Sequence, residues 1–290
     1  MVRFVIGAAL LSVVACGSGD VTRSADPSSD LVNFESTWDT ATGTSKEAVS
    51  DGGRWPSYWE FNNGAPVQLM SVVRGGPGGH NALRVQQRGG HFAAFVQIDD
   101  VVLQSRDYYV RFYMKNDDTS FSGDHVATVD YQNYGNLTFM RKSSGESGWT
   151  FVVSMYGCGG GWPIGHWGPP GALARDSWYR FEYFIHYVDD NHIQLHPRVY
   201  DSSGTLVYQA ADFQQASYKR GGIWNGRDDW TLASYYAAGY TFCVEPNWTN
   251  DFALGNNGQH ESVDTGRYWH FAALQIRSDR WPGPVGGTAR

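Results

Sequence analysis

The chain has 290 residues and carries 22 Lys and Arg against 29 Asp and Glu, a formal net charge of −7. That balance excludes nucleic acid as a partner, because binding a polyanion needs a basic footprint that releases counterions. Aromatic residues reach 15% while charged residues stop at 18%, which excludes disorder for most of the chain. Aromatic and β-branched residues favour strands, and the 35 glycines with Asn and Asp favour turns, so the composition points to an all-β fold with elaborate loops. One large domain suffices, since β-sandwiches run to about 200–250 residues.

At the start, residues 1–15 combine Arg3, an apolar stretch from Phe4 to Val14 and a small residue, Ala15, before Cys16. This pattern is that of a secretory signal peptide and is too short to span a bilayer. The run Val13-Val14-Ala15-Cys16 resembles the lipobox of bacterial lipoproteins. The resemblance implies export, cleavage before Cys16, a lipid on that cysteine and tethering to the cell envelope, with an ordinary signal peptide cut nearby as the alternative. Residues 16–30 are rich in Gly, Ser and Asp and read as a flexible tether. The remaining cysteines, Cys158 and Cys243, are expected to form one disulfide in an oxidising compartment.

From residue 31 to 290 the sequence reads as one β-sandwich domain. Alternation bounded by Gly, Asp, Asn and Ser predicts strands over 82–87, 92–98, 108–115, 125–131, 137–141, 150–156, 178–187, 192–200, 205–209, 231–236 and 268–277. So many short strands predict two packed antiparallel sheets, a sandwich or jelly roll. Within 178–209, Tyr179, Phe181, Tyr183, Ile185 and Tyr187 fall on one strand face and Trp178, Arg180, Glu182, Phe184 and His186 on the other. In the next strand Ile193, Leu195, Pro197 and Val199 alternate with His192, Gln194, His196, Arg198 and Tyr200. The polar faces of the two strands are expected to coincide, since a slip of one residue would put the apolar sets in water.

These strands, together with Trp-rich and Gly-rich loops, resemble the concanavalin A-like jelly roll of lectins, glucanases and several polysaccharide lyases. The resemblance covers the body of the chain as architecture and implies a glycan ligand on a sheet face. Sugar rings stack on Trp and Tyr, and Trp149, Trp162, Trp167, Trp224, Trp230 and Trp248 lie in or beside Gly-rich segments. The Glu-x-Asp-x-x-Glu pattern of the glucanases is absent. Gln194-Leu195-His196 resembles the Gln-x-His element of alginate-lyase-type jelly rolls, and Tyr235-Tyr236-Ala237-Ala238-Gly239-Tyr240 is similar to their Tyr-x-Lys-x-Gly-x-Tyr strand. Ala237 stands where that pattern has Lys, and the Arg-x-Glu-x-Arg element is missing.

A lyase breaks a uronic acid chain by β-elimination: it neutralises the carboxylate, removes the acidified C5 proton and protonates the leaving oxygen. The resemblance implies His196 with Tyr236 and Tyr240 as the acid and base. Arg111, Arg180, Gln194 and Arg198 would take the carboxylate, and Trp162 and Trp167 would wall the cleft from a long loop. No cofactor is required. Zinc is set aside because His192 and His196 are about 13 Å apart along one strand. A structural calcium is kept open at Asp117-Asp118, Asp189-Asp190, Asp228-Asp229 and Asp251 with Asn256-Asn257, read as loop oxygens. The expectation is a polysaccharide lyase; its rivals are a non-catalytic glycan-binding lipoprotein and a structural envelope protein.

Overall fold

The alternating segments fold as strands in a computed structural model of the chain, which describes residues 33–86, 90–98, 107–117, 124–130, 139–141, 150–155, 164–167, 173–187, 193–209, 251–260 and 268–286. In chain order the first are β1 (Asn33–Ser36), β2 (Ser57–Asn62), β3 (Ala65–Pro66), β4 (Met70–Arg74), β5 (Asn81–Gln86), β6 (Gly90–Ile98), β7 (Asp107–Asn116) and β8 (Asp124–Asp130). Then come β9 (Phe139–Arg141), β10 (Thr150–Met155), β11 (Ile164–Trp167), β12 (Tyr179–Tyr187), β13 (Ile193–Tyr200), β14 (Leu206–Gln209), β15 (Asp251–His260) and β16 (Tyr268–Arg277). A single helical turn, α1 (Lys46–Val49), is capped by the Ser45 hydroxyl, which accepts from the Ala48 N–H.

The strands sort into two antiparallel sheets. Sheet A runs β14-β13-β12-β7-β16-β5-β4, with β1 beside the far half of β16. Sheet B runs β11-β10-β9-β8-β15-β6-β2-β3. Their inner faces meet in one core, with Val110, Phe112, Phe181, Val199 and Leu274 from sheet A and Ala94, Val96 and Leu254 from sheet B. At its centre the Phe112 and Phe181 rings stack with centroids 5.4 Å apart. The fold is therefore the two-sheet antiparallel β-sandwich that the composition predicts.

A buried polar knot fixes the stretch between β1 and β2. Asp51 accepts from the Ser36 hydroxyl at 2.8 Å and from the Thr40 hydroxyl at 2.9 Å, and Ser36 Oγ accepts from Trp55 Nε1 at 2.9 Å. Trp55 then stacks on Trp38 with ring centroids 5.7 Å apart.

The predicted strands from 82–87 to 205–209, and 268–277, appear with ends shifted by at most two residues. The segment 231–236 lies outside the described residues. Alternation does not single out β1 to β4, β11 or β15. Residues 164–167, expected as loop wall, form β11 against β10, and Asp251 with Asn256-Asn257, expected as loop oxygens, lie in β15. β15 is DFALGNNGQH, rich in Gly and Asn, which single strands disfavour. Its place between β6 and β8 supplies hydrogen bonds along both edges and overrides that preference.

Phe112→Ala is expected to lower the unfolding free energy by about 3–5 kcal/mol. Urea titration followed by tryptophan fluorescence measures it; a loss under about 1 kcal/mol would mean that the ring is not part of a shared core.

Candidate functional site

The register bears directly on the polar face expected along 178–209. Arg180 lies opposite Tyr200, Glu182 opposite Arg198, Phe184 opposite His196 and His186 opposite Gln194. On the other side of β12, Arg111 lies opposite Glu182. Arg111, Arg180, Gln194, His196 and Arg198 are thus placed on one face of sheet A, the face turned away from Phe112, Phe181 and Val199.

The chain's own end covers part of that face. Past β16, the Trp281 ring sits 5.2 Å from Tyr109 and 6.3 Å from Phe184, and the Arg198 guanidinium lies 4.3 Å above it. Arg111 donates from Nε to the Ala273 carbonyl at 3.2 Å and from Nη1 to the Gly283 carbonyl at 3.1 Å, and the Tyr113 hydroxyl accepts from the Val285 N–H at 3.1 Å. Ala273, with φ 48°, marks the irregularity that shifts the register of β16 against β7.

Beneath this strap Arg111 is 4% and Glu182 3% exposed. Arg180 Nε lies 2.9 Å from Glu182 Oε1 without aiming an N–H at it, so the two meet as charges. The Arg180 guanidinium also covers the Tyr200 ring at 4.1 Å. Burial pushes the Glu182 carboxyl above its ordinary range, against the opposing pull of Arg180, Arg198 and Arg111. Each arginine expected to clamp a carboxylate therefore has a partner within the chain: two carbonyls for Arg111, Glu182 and Tyr200 for Arg180, Trp281 for Arg198. A polymer lying here would have to displace residues 281–285.

Sheet B gathers a different set. Ala94, Val96 and Leu254 point into the core, so their neighbours in sequence occupy the opposite face. The backbone register pairs Phe61, Ala93, Asn257, His125, Phe139, Val152 and Trp167 in one line over seven strands. At about 4.8 Å per strand the line is about 29 Å long. Asn257 is directly opposite His125 on one side of β15, and two residues along, Gln259 is directly opposite His91 on the other. In the reverse direction the next line is Trp59, Phe95 and Gly255.

Trp59 is 47% exposed. A Cβ on Gly255 would stand 2.0 Å from the Ala94 carbonyl oxygen, so β15 presses too closely on β6 there for any side chain. The aromatic pair Trp59 and Phe95 consequently has no side chain at the third position of its line. Toward the sheet edge lies an open depression of about 630 Å³ lined by Tyr58, Trp59, Glu60, Phe61, Pro66 and Val67. The Glu60 carboxylate accepts from the Leu69 N–H at 2.7 Å and the Met70 N–H at 2.5 Å, fixing the chain that leads into β4.

Sequence reasoning places the chemistry on Arg111, the strands of 178–209 and Tyr236 with Tyr240, reads Asn257 only as a candidate calcium ligand, and passes over His91, His125 and Gln259. The signal that would have found them is the alternation of Ala253, Gly255, Asn257 and Gln259 against Phe252, Leu254 and Asn256 in β15. Trp167 ends the long line of sheet B. Cys16, Cys158, Trp162, Tyr236, Tyr240 and Cys243 lie outside the described residues, as do the signal peptide, the tether, His192 and the aspartates at 118, 189–190 and 228–229. Among the described residues no three His, Cys, Asp or Glu side chains stand close enough to hold a metal ion.

No family model and no curated protein matches the chain. Among solved structures it is similar to the alginate lyase Aly36B, with a TM-score of 0.48, 13% identity and coverage of 87% of this chain and 99% of that one. It is also similar to a PL-14 alginate lyase from Aplysia kurodai, with a TM-score of 0.49, 10% identity and coverage of 84% and 97%. An endo-β-1,4-glucuronan lyase from the fungus Trichoderma reesei gives 0.44, 11% identity and coverage of 77% and 90%. At such identities no residue role passes from these proteins to this chain.

Glu60, opposite Ala94 on the inner side of β2, makes this edge of sheet B sensitive to pH. Burial raises its pKa more than its two N–H donors lower it, so the folded state holds the proton more firmly than the unfolded one. Its contribution to stability is therefore greatest below its ordinary value of 4.5 and falls as pH rises through and above it. Glu60→Gln keeps an acceptor for both N–H groups and removes the titration. The difference in melting temperature between acidic and neutral pH is expected to shift in favour of neutral pH in this variant. An identical pH profile in both proteins would show that Glu60 carries none of it.

Proposed function

We propose that the chain is a polysaccharide lyase that cleaves a uronic-acid-containing glycan by β-elimination along the outer face of sheet B. The observation that carries this reading is the register that sets Asn257 opposite His125 in the middle of a line ending in aromatic residues. Directly opposed residues on adjacent strands have Cβ atoms about 4.5–5.5 Å apart. An amide and an imidazole at that spacing suit one sugar ring, the amide donating to the carboxylate at C6 and the imidazole taking the proton from C5.

Withdrawal of charge by the amide acidifies C5, the imidazole removes its proton, and the electron pair forms the C4–C5 double bond as the bond from C4 to the bridging oxygen breaks. That oxygen leaves with a proton, for which Tyr236 and Tyr240 are the candidate donors. Gln259 and His91 offer a second amide and imidazole for the adjoining ring, and Trp59 with Phe95 offers an apolar platform. The same reading keeps the chain exported and tethered through a lipid on Cys16, with a disulfide between Cys158 and Cys243, no required cofactor and room for a structural calcium.

Incubation with a panel of acidic and neutral polysaccharides, followed by ultraviolet absorbance of the unsaturated uronate, tests the reaction. A rise with an acidic polymer is expected, falling about 10²–10⁴-fold in His125→Ala and in Asn257→Ala and persisting in His196→Ala. Loss of turnover in His196→Ala with retention in His125→Ala would move the site to sheet A. No rise with any polymer, together with retained binding to one of them, would replace the lyase by a glycan-binding protein.

A further inference from the structure

The outer face of sheet A carries a second group of side chains, away from the strap at Arg111 and independent of the chemistry proposed for sheet B. Ser71 in β4, Arg84 in β5, His270 in β16 and Lys115 in β7 stand opposite one another in a single line across four strands. Here three basic side chains occupy successive positions of one line in a chain whose net charge is −7.

One carboxylate among the described residues answers them. Asp117 accepts from the Tyr268 N–H at 2.6 Å and its other oxygen lies 3.3 Å from His270 Nε2. Two rings flank the line: the Arg84 guanidinium lies 4.3 Å above Tyr268, and Lys115 Nζ lies 5.7 Å from Trp178. Trp178 also meets His270 edge-on at 6.2 Å. Arg84 and Lys115, like the flanking Trp178 and Tyr268, are half-buried, whereas Ser71 and His270 are buried, and Arg84 Nε is steadied by the Ser71 hydroxyl at 3.1 Å. Burial holds the His270 pKa below its ordinary value, Asp117 opposes this, and Lys115 and Arg84 act in the same direction as burial. An oxyanion here would stand within reach of the Arg84 and Lys115 cations that flank His270 in the line.

We propose that this line is a second glycan-binding site, which takes the carboxylate of an acidic sugar between Arg84, His270 and Lys115 with the sugar ring against Tyr268 or Trp178. Such a site would hold an acidic polysaccharide on the side of the sandwich opposite the cleft.

The test is an NMR titration of the His270 ring protons with sodium glucuronate, sodium sulfate and neutral glucose, in the wild-type chain and in Arg84→Gln and Lys115→Gln. Saturable shifts with glucuronate and none with glucose are expected, with affinity weakened about tenfold in each variant, the usual worth of one charge-assisted hydrogen bond. Both substitutions keep a half-buried stem of similar length, and the dispersion of the spectrum reports that the fold is retained. Saturation by sulfate but not by glucuronate would reduce the line to an anion patch and overturn the sugar assignment. Absence of shifts with either anion, or equal affinity in wild type and both variants, would overturn the site altogether. Because none of these outcomes involves turnover, failure here is distinct from failure of the lyase reading.

Discussion

Arg111 buries a guanidinium on the outer face of sheet A and gives its N–H groups to the carbonyls of Ala273 and Gly283. Removing the partners of a buried charge costs several kcal/mol, so the irregularity in β16 and the returning chain end are tied to this one side chain. The two outer faces thereby differ in what covers them among the described residues. Where Arg111, Arg180 and Glu182 lie, sheet A is sealed by Trp281, Gly283 and Val285. On the proposed reading an extended ligand lies instead on sheet B.

β15 sets the character of that second face. It is central in sheet B, yet it carries Gly255, Asn256, Asn257 and Gly258, types that weaken a strand and that packing alone would not choose. The register of β15 against β8 shifts between Ala253 and Asn256. Asn256 is fully buried, and neither of its amide atoms has a hydrogen-bonding partner among the described residues. An unpaired buried amide costs about 1–3 kcal/mol, and such departures from local consistency concentrate where a protein does its work. The unsatisfied Asn256 immediately precedes Asn257, the residue placed beside His125.

Much of the architecture was legible because period-two alternation survives wherever one face of a strand is buried. Phe181 and Val199 point inward and Glu182 and Arg198 outward, as the sequence of each strand predicts, and the coincidence of their polar faces follows from the same constraint. Two things were not legible. Gly283 meets Arg111 from 172 residues away, so no local pattern announces that the polar face is covered. In β15 the alternation is present, but Gly and Asn read first as turn chemistry, and only pairing on both edges makes the segment a strand. The strap over sheet A and the strand at β15 thus rest on the two features that sequence encodes least locally: long-range cover and central position in a sheet.

The two basic groups on sheet A differ in what balances them, and that difference separates a structural cluster from an available one. In the first, Arg111 has two carbonyls, Arg180 has Glu182 and a tyrosine ring, and Arg198 has an indole; two of the three cations are almost wholly buried. Every cation there has its partner built into the chain, and another anion would have to break one of these contacts to enter. In the second, Asp117 is the one carboxylate among the described residues set against Arg84, Lys115 and the imidazole between them, while Tyr268 and Trp178 supply only ring faces. Cation–π contacts at such half-exposed positions contribute about 0.5–1 kcal/mol and leave the N–H groups of the cation largely unspent. The shortage of negative charge, in a chain that has an excess of it overall, is what a bound carboxylate would make good.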